Sequence, residues 1–430
     1  MAPTSGTALI DDKRPQTGSR ALEEIPTASL LPRLGSTALR FIPSLWLFAI
    51  VKTIGFTVFM YLLEYSGDYH TKEPRFGGGS HQWDVLGTWD GWWYQEIARN
   101  GYDPGTLIPI QPGGLFTAQQ NSAAFFPLYP GLIRLISECT GLGTFGAGIL
   151  VSTASSFIAA AGIYAIADHI GGHRAGIIAA ALWGVAPGSG VQWAVYSDSL
   201  FVALAAWVCY CVMTRRWLSA GLLAFAAGLN RPTAAALIGA LGLSALVTLY
   251  RGSRTSWPDG FTRPIAAMAI APLGLVGYIG WVGYRMGDWG GYFALQREAW
   301  AHYFDYGQYT LHAVRDGLIG RHTYVFAFPV PDQIALLLVV ALPTLIVLLL
   351  RQRVPLMLVA YTLATVVAVL GTQQIFANTS RYLLPAFPLL LPLAMALRRV
   401  SWTSLAVMLT SLAAASGWYA GYALFELGIP

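Results

Sequence analysis

Charge is the scarcest feature of this sequence. Lys, Arg, Asp and Glu make up 11% of its 430 residues, where a soluble globular protein carries about 25%. So few charges cannot clothe a water-facing surface, which excludes a soluble enzyme, a coiled coil and a disordered chain. Cysteine is nearly missing as well: three residues cannot form a disulfide scaffold. Cys209 and Cys211 fall in one apolar run and Cys139 stands alone, so all three read as packing thiols. There is no P-loop and no metal-ligand spacing, since His169 and His173 lack a third ligand nearby. Neither a metal nor any other cofactor is expected.

What fills the chain instead is apolar: 55% of residues are hydrophobic. A bilayer core about 30 Å thick needs roughly 20 apolar residues per helix. Eleven runs qualify as candidate spans: 41–63, 146–167, 175–190, 198–214, 217–229, 233–250, 265–285, 334–350, 354–371, 383–397 and 402–424. The expected fold is therefore an all-α polytopic membrane protein of about eleven transmembrane helices, surrounded by membrane lipids. Residues 1–40 are polar, contain proline and do not resemble a cleavable signal peptide. They read as a disordered cytoplasmic tail ahead of a membrane domain at 41–430.

Arginine sets the orientation. With the N-terminus inside, the short inner loops hold 10 basic residues, Arg174 to Arg399, against only Asp168 and Asp259. Two long loops, 64–145 and 286–333, then lie outside. No room remains for a cytosolic nucleotide site, so any chemistry belongs on the outer face. The formal net charge of +5 is mostly positive-inside bias and does not point to nucleic acid.

The polar residues that remain gather at the outer edge. Trp89-Asp90-Gly91-Trp92-Trp93-Tyr94, followed by Ile97 and Gly101, reads as a short interfacial helix with Asp90, Trp93, Tyr94 and Ile97 on one face. Asp90 there suits either a general base or a helix cap. Phe125-Phe126-Pro127-Leu128-Tyr129-Pro130 bends into a second such helix. Asp198 opens the fourth span, and Arg231 and Arg381 stand at the membrane edges of two others. Charged groups at that depth commonly face a cavity or a polar ligand, and both arginines suit a phosphate. Snorkelling to headgroups is the plainer reading of each. Trp300, His302 and neighbouring aromatics crowd the second long loop, where rings suit sugar faces or acyl chains. The Gly77-Gly78-Gly79 run reads as a hinge.

In their order along the chain, Trp89-Asp90…Trp93-Tyr94…Gly101-Tyr102, Phe125–Pro130, Tyr196-Ser197-Asp198-Ser199-Leu200-Phe201 and Arg231-Pro232 resemble the GPI mannosyltransferase II (PIG-V) family. That family belongs to the GT-C polytopic glycosyltransferases. After residue 232, only Arg381-Tyr382…Pro385 and the pattern of spans extend the likeness. The resemblance implies a GT-C-type fold and transfer of mannose from a polyprenyl-phosphate donor, without a metal. The acceptor would be a hydroxyl of a lipid-linked glycan or glycolipid, on the outer side of a plasma membrane. It assigns Asp90 as the general base. Asp198 stands where many members have Glu, and Arg231 falls near a basic position. Chemically, Arg381 or Arg231 would stabilise the leaving phosphate, while Asp198, Trp93, Tyr94, Tyr129, Trp300 and His302 would contact substrate. A usage of 23 Arg to 3 Lys fits a GC-rich, actinobacterial genome. A lipid or glycolipid transporter without catalysis is the alternative.

Overall fold

All eleven apolar runs contain helix in the computed structural model, which describes residues 39–111, 114–252, 260–321, 323 and 327–430. The expected tail at 1–40 lies almost wholly outside the described residues. Phe41–Pro430 forms one compact unit.

The first span, α1 (Ile42–Ser66), has Pro43 in its first turn and ends where Gly67 turns left-handed at φ 65°. The three glycines that follow are a packed turn rather than a hinge. A Cβ on Gly78 would lie 2.0 Å from Lys72 O, and one on Gly79 2.3 Å from Asp84 Cβ. Two short helices, α2 (Asp90–Asn100) and α3 (Leu128–Thr140), fall where amphipathic spacing placed them.

α4 (Thr144–Gly171) runs through the middle, with α5 (His173–Gly184) and α6 (Asp198–Met213) along it. Small residues let these helices approach closely. A Cβ on Gly162 would meet Ala206 Cβ at 2.8 Å, and one on Gly148 would meet Val195 Cγ1 at 2.5 Å. In an apolar medium, helices associate through such packing because burial adds no driving force. α7 (Trp217–Gly228) and α8 (Ala234–Gly252) follow. α9 (Thr262–Ile270) and α10 (Leu273–Met286) are one span interrupted at Pro272.

The second long loop carries α11 (Gly291–Trp300), β1 (Tyr303–Phe304) and α12 (Gln308–Leu318). After α13 (Pro329–Arg351) and α14 (Leu356–Leu370), β2 (Thr372–Gln373) pairs antiparallel with β1, Tyr303 opposite Gln373. The chain ends through α15 (Thr379–Tyr382), α16 (Leu391–Leu397) and α17 (Trp402–Ser416), the last continuing in wide π turns to Ala423.

Among the described residues, five helices are long and apolar enough to cross a membrane: α1, α4, α8, α9–α10 and α13. A sixth span exists if Phe376–Tyr382 and Leu384–Leu397, bent by 65°, count as one. The remaining runs are shorter or broken, for local reasons. The 175–190 run stops being helix at Gly184, just ahead of Pro187 and Gly188. Pro385 and Pro388 interrupt the 383–397 run. The two long loops pack on each other: Thr117 N–H donates to Glu298 O at 2.8 Å, and Gln296 Nε2 to Ala124 O at 3.1 Å.

Candidate active site

The site begins with a strained residue. Trp89 sits at φ 55°, ψ −118°, a conformation that costs a non-glycine residue of order 1–3 kcal/mol. Its N–H donates to Arg75 O at 2.9 Å, tying it to the glycine turn. The kink starts α2 at Asp90. That carboxylate does not cap the helix. It reaches across to α15, where Arg381 Nη2 donates to Asp90 Oδ2 at 2.5 Å.

Arg381 is 1% exposed and holds a second carboxylate. Its Nε lies 3.3 Å from both oxygens of Asp198, and its Nη2 donates to Asp198 Oδ2 at 3.0 Å. Arg231 pairs with Asp198 Oδ1 from the other side. Two carboxylates thus meet two guanidiniums, and the cluster is neutral as a unit. Buried charges persist only when paired and hydrogen-bonded in this way. The guanidinium of Arg381 also lies over the Tyr196 ring, 4.5 Å from its centroid. Around the cluster, Tyr94 Oη and Ser197 Oγ share a 2.7 Å hydrogen bond, and Asn230 Nδ2 donates to Ser197 O at 3.1 Å.

Asp90 and Arg381 face a cavity of about 410 Å³, a size typical of small-ligand sites. α2, the loop ahead of it, the 300–309 segment and the 373–382 bend enclose it. Trp93 and Trp300 stand edge to face on its wall, with centroids 5.9 Å apart. His302 is also on the wall, and burial pushes its imidazole down to about 4. Arg381 and Arg231 add to that depression and Asp90 opposes it. The ring is therefore neutral near pH 7. Three buried polar atoms of wall residues, Trp89 Nε1, Trp300 Nε1 and Asn378 Oδ1, have no hydrogen-bond partner among the described residues. Buried polar groups are ordinarily paired, and these three are exceptions beside the cavity.

Of the residues singled out from the sequence, the cavity gathers Asp90, Arg381, Trp93, Trp300 and His302. Asp198 and Arg231 lie behind its wall, joined to it through Arg381. Tyr94 and Tyr129 are packed in the adjoining core, where Tyr129 Oη bonds Ser152 Oγ at 2.6 Å. Neither tyrosine lines the cavity. Sequence reasoning missed Arg75, Gln120, Gln373, Gln374 and Asn378. None of them sits in a pattern that marks it. Among the described residues, no group of three His, Cys, Asp or Glu is placed to hold a metal ion.

The fold and site define an all-α protein with membrane-crossing helices and a charged cavity between two long loops. Comparison with protein-family models and with curated proteins gives no match. Among solved structures the chain is similar to ArnT from Cupriavidus metallidurans bound to undecaprenyl phosphate, with TM-score 0.48 and 17% identity. That match covers 85% of this chain and 62% of that one. It is also similar to the oligosaccharyltransferase of Archaeoglobus fulgidus in complex with zinc and sulfate, with TM-score 0.44 and 14% identity. There the coverage is 87% of this chain and 53% of that one. The archaeal oligosaccharyltransferase AglB with an inhibitory peptide and a dolichol-phosphate matches at TM-score 0.45 and 13% identity, over 90% and 56% of the two chains. This chain spans 53% to 62% of the length of these structures.

Proposed function

We propose that this chain is a GT-C-type membrane glycosyltransferase of the kind the PIG-V resemblance implies. It moves mannose from a polyprenyl-phosphate donor to a hydroxyl of a lipid-linked glycan or glycolipid. The site lies on the outer face of a plasma membrane, with the N-terminus cytoplasmic. The observation that carries this reading is Asp90, held by Arg381 on the wall of a cavity rich in aromatics.

The chemistry asks for little more than these residues. An acceptor hydroxyl attacks the anomeric carbon as the bond to the donor phosphate breaks, so the hydroxyl proton needs a base within hydrogen-bond reach. Arg381 binds Asp90 Oδ2 and fixes the carboxylate, leaving Oδ1 for that proton. The departing polyprenyl phosphate gains negative charge, which a cation on the cavity wall stabilises. Arg381 lines the wall, whereas Arg231 lies behind it, paired with Asp198. One displacement inverts the anomeric centre, so a β-linked donor yields an α-mannoside. Trp93 and Trp300 supply aromatic surface on the cavity wall for the sugar to pack against.

The test is transfer by purified protein supplied with polyprenyl-phosphate mannose and a membrane lipid extract. Asp90→Asn, shown to be folded, is expected to lower the rate by about 10²–10⁴-fold, the usual contribution of a positioned base. Undiminished transfer would remove Asp90 from the chemistry. No transfer by the wild type with any prenyl sugar donor would favour a transporter.

A further inference from the structure

Arg75 lies on the wall of the same cavity and has no part in the chemistry above. It sits in the packed glycine turn before α2, with its carbonyl holding the N–H of Trp89. Its guanidinium carbon lies 4.6 Å from the ring centroid of Trp92, 4.9 Å from Trp93 and 5.1 Å from Phe76. One Nη2 hydrogen goes to Gln120 Oε1 at 2.8 Å. Among the described residues no carboxylate pairs with it.

That sets it apart from the other arginines. Arg381 already faces Asp90 and Asp198, and Arg231 faces Asp198, so both positive charges are met within the protein. His302 adds no charge near neutral pH. Arg75 is therefore the cavity-wall arginine without an ion pair among the described residues, with Glu73, two positions earlier, acting on it only through space. Aromatic rings around a guanidinium attract its charge without using its hydrogens. Four of its five N–H donors remain, in the fixed fork that matches two oxygens of a phosphate.

We infer that Arg75 is the anion receptor of the cavity, taking a lipid-borne phosphate bidentately while Arg381 keeps Asp90 in place. The inference rests on the donor reading proposed above. It moves the principal phosphate contact from α15 to the turn before α2.

Binding of three probes to the full-length protein in phosphatidylcholine nanodiscs tests it: undecaprenyl phosphate, undecaprenol and phosphatidylglycerol. Wild type is expected to prefer undecaprenyl phosphate to undecaprenol. Arg75→Gln should weaken undecaprenyl phosphate binding about 10- to 100-fold, the loss of a charge-assisted bidentate contact. Arg75→Lys, which keeps the charge without the fork, should fall between the two, a gradation that a purely structural role would not produce. Undecaprenol should bind all three proteins alike. Unchanged affinity of Arg75→Gln for undecaprenyl phosphate would overturn the inference and leave the donor reading untouched. If phosphatidylglycerol binds as tightly and Arg75→Gln weakens both lipids equally, the receptor stands and the prenyl-donor reading falls. If the wild type does not distinguish undecaprenyl phosphate from undecaprenol, both fall.

Discussion

Asp198 shows how far a residue's neighbours in sequence can be from its neighbours in space. In the chain it opens an apolar helix, flanked by serines. In the fold it is 1% exposed and accepts from Arg381, 183 positions away, and from Arg231. Its carboxylate balances two buried guanidiniums. Asp198→Asn keeps the shape and removes the charge, so it should destabilise the protein by about 3–5 kcal/mol, as breaking a buried ion pair does. A thermal melt of the purified variant measures this, and a wild-type midpoint would contradict it. Asp90 was readable because aromatics and a carboxylate at helical spacing are an uncommon combination. Arg75 was not. An arginine between Pro74 and Phe76 carries no pattern, and its significance lies in having aromatics around it and no ion-pair partner among the described residues.

At the scale of elements, hydrophobic runs announced the helices, and prolines and glycines decided which of them stay straight. The segment after α5 turns back at Gly188, whose φ is +87°. A Cβ there would lie 2.6 Å from Ser380 O and 2.5 Å from Arg381 N. The glycine therefore seats the one-turn helix that presents Arg381 to both carboxylates. Gly188→Ala meets unfavourable backbone and backbone atoms together, and overpacking of this kind costs about 1–3 kcal/mol. The expected outcome is lower thermal stability with a disproportionate fall in transfer rate, since Arg381 must shift. Full activity at reduced stability would show that α15 tolerates the displacement. The bend at 376–397 follows the same logic. Pro385 and Pro388 lie just past the break, and the two helices meet there at 65°.

For the whole molecule, orientation is the property the positive-inside bias predicts and native cysteines can report. Cys139 is exposed near the end of α3, within the long 64–145 loop, whereas Cys209 and Cys211 are buried in α6. An impermeant thiol reagent applied to intact cells should label Cys139 alone; labelling only after permeabilisation would reverse the proposed topology. The sparse charge of the whole chain and the order of its apolar and aromatic residues are, by themselves, enough to indicate a helical membrane protein, the positions of its apolar runs and a candidate base at Asp90. Those are local properties: a bilayer requires each segment to satisfy its own backbone, so every span must be written contiguously in the sequence. The candidate site obeys no such constraint. Only the tertiary structure decides that Asp90, Asp198, Arg231 and Arg381 form one neutral cluster and that Arg75 stands outside it, because charge pairing acts through space between segments that share no periodicity.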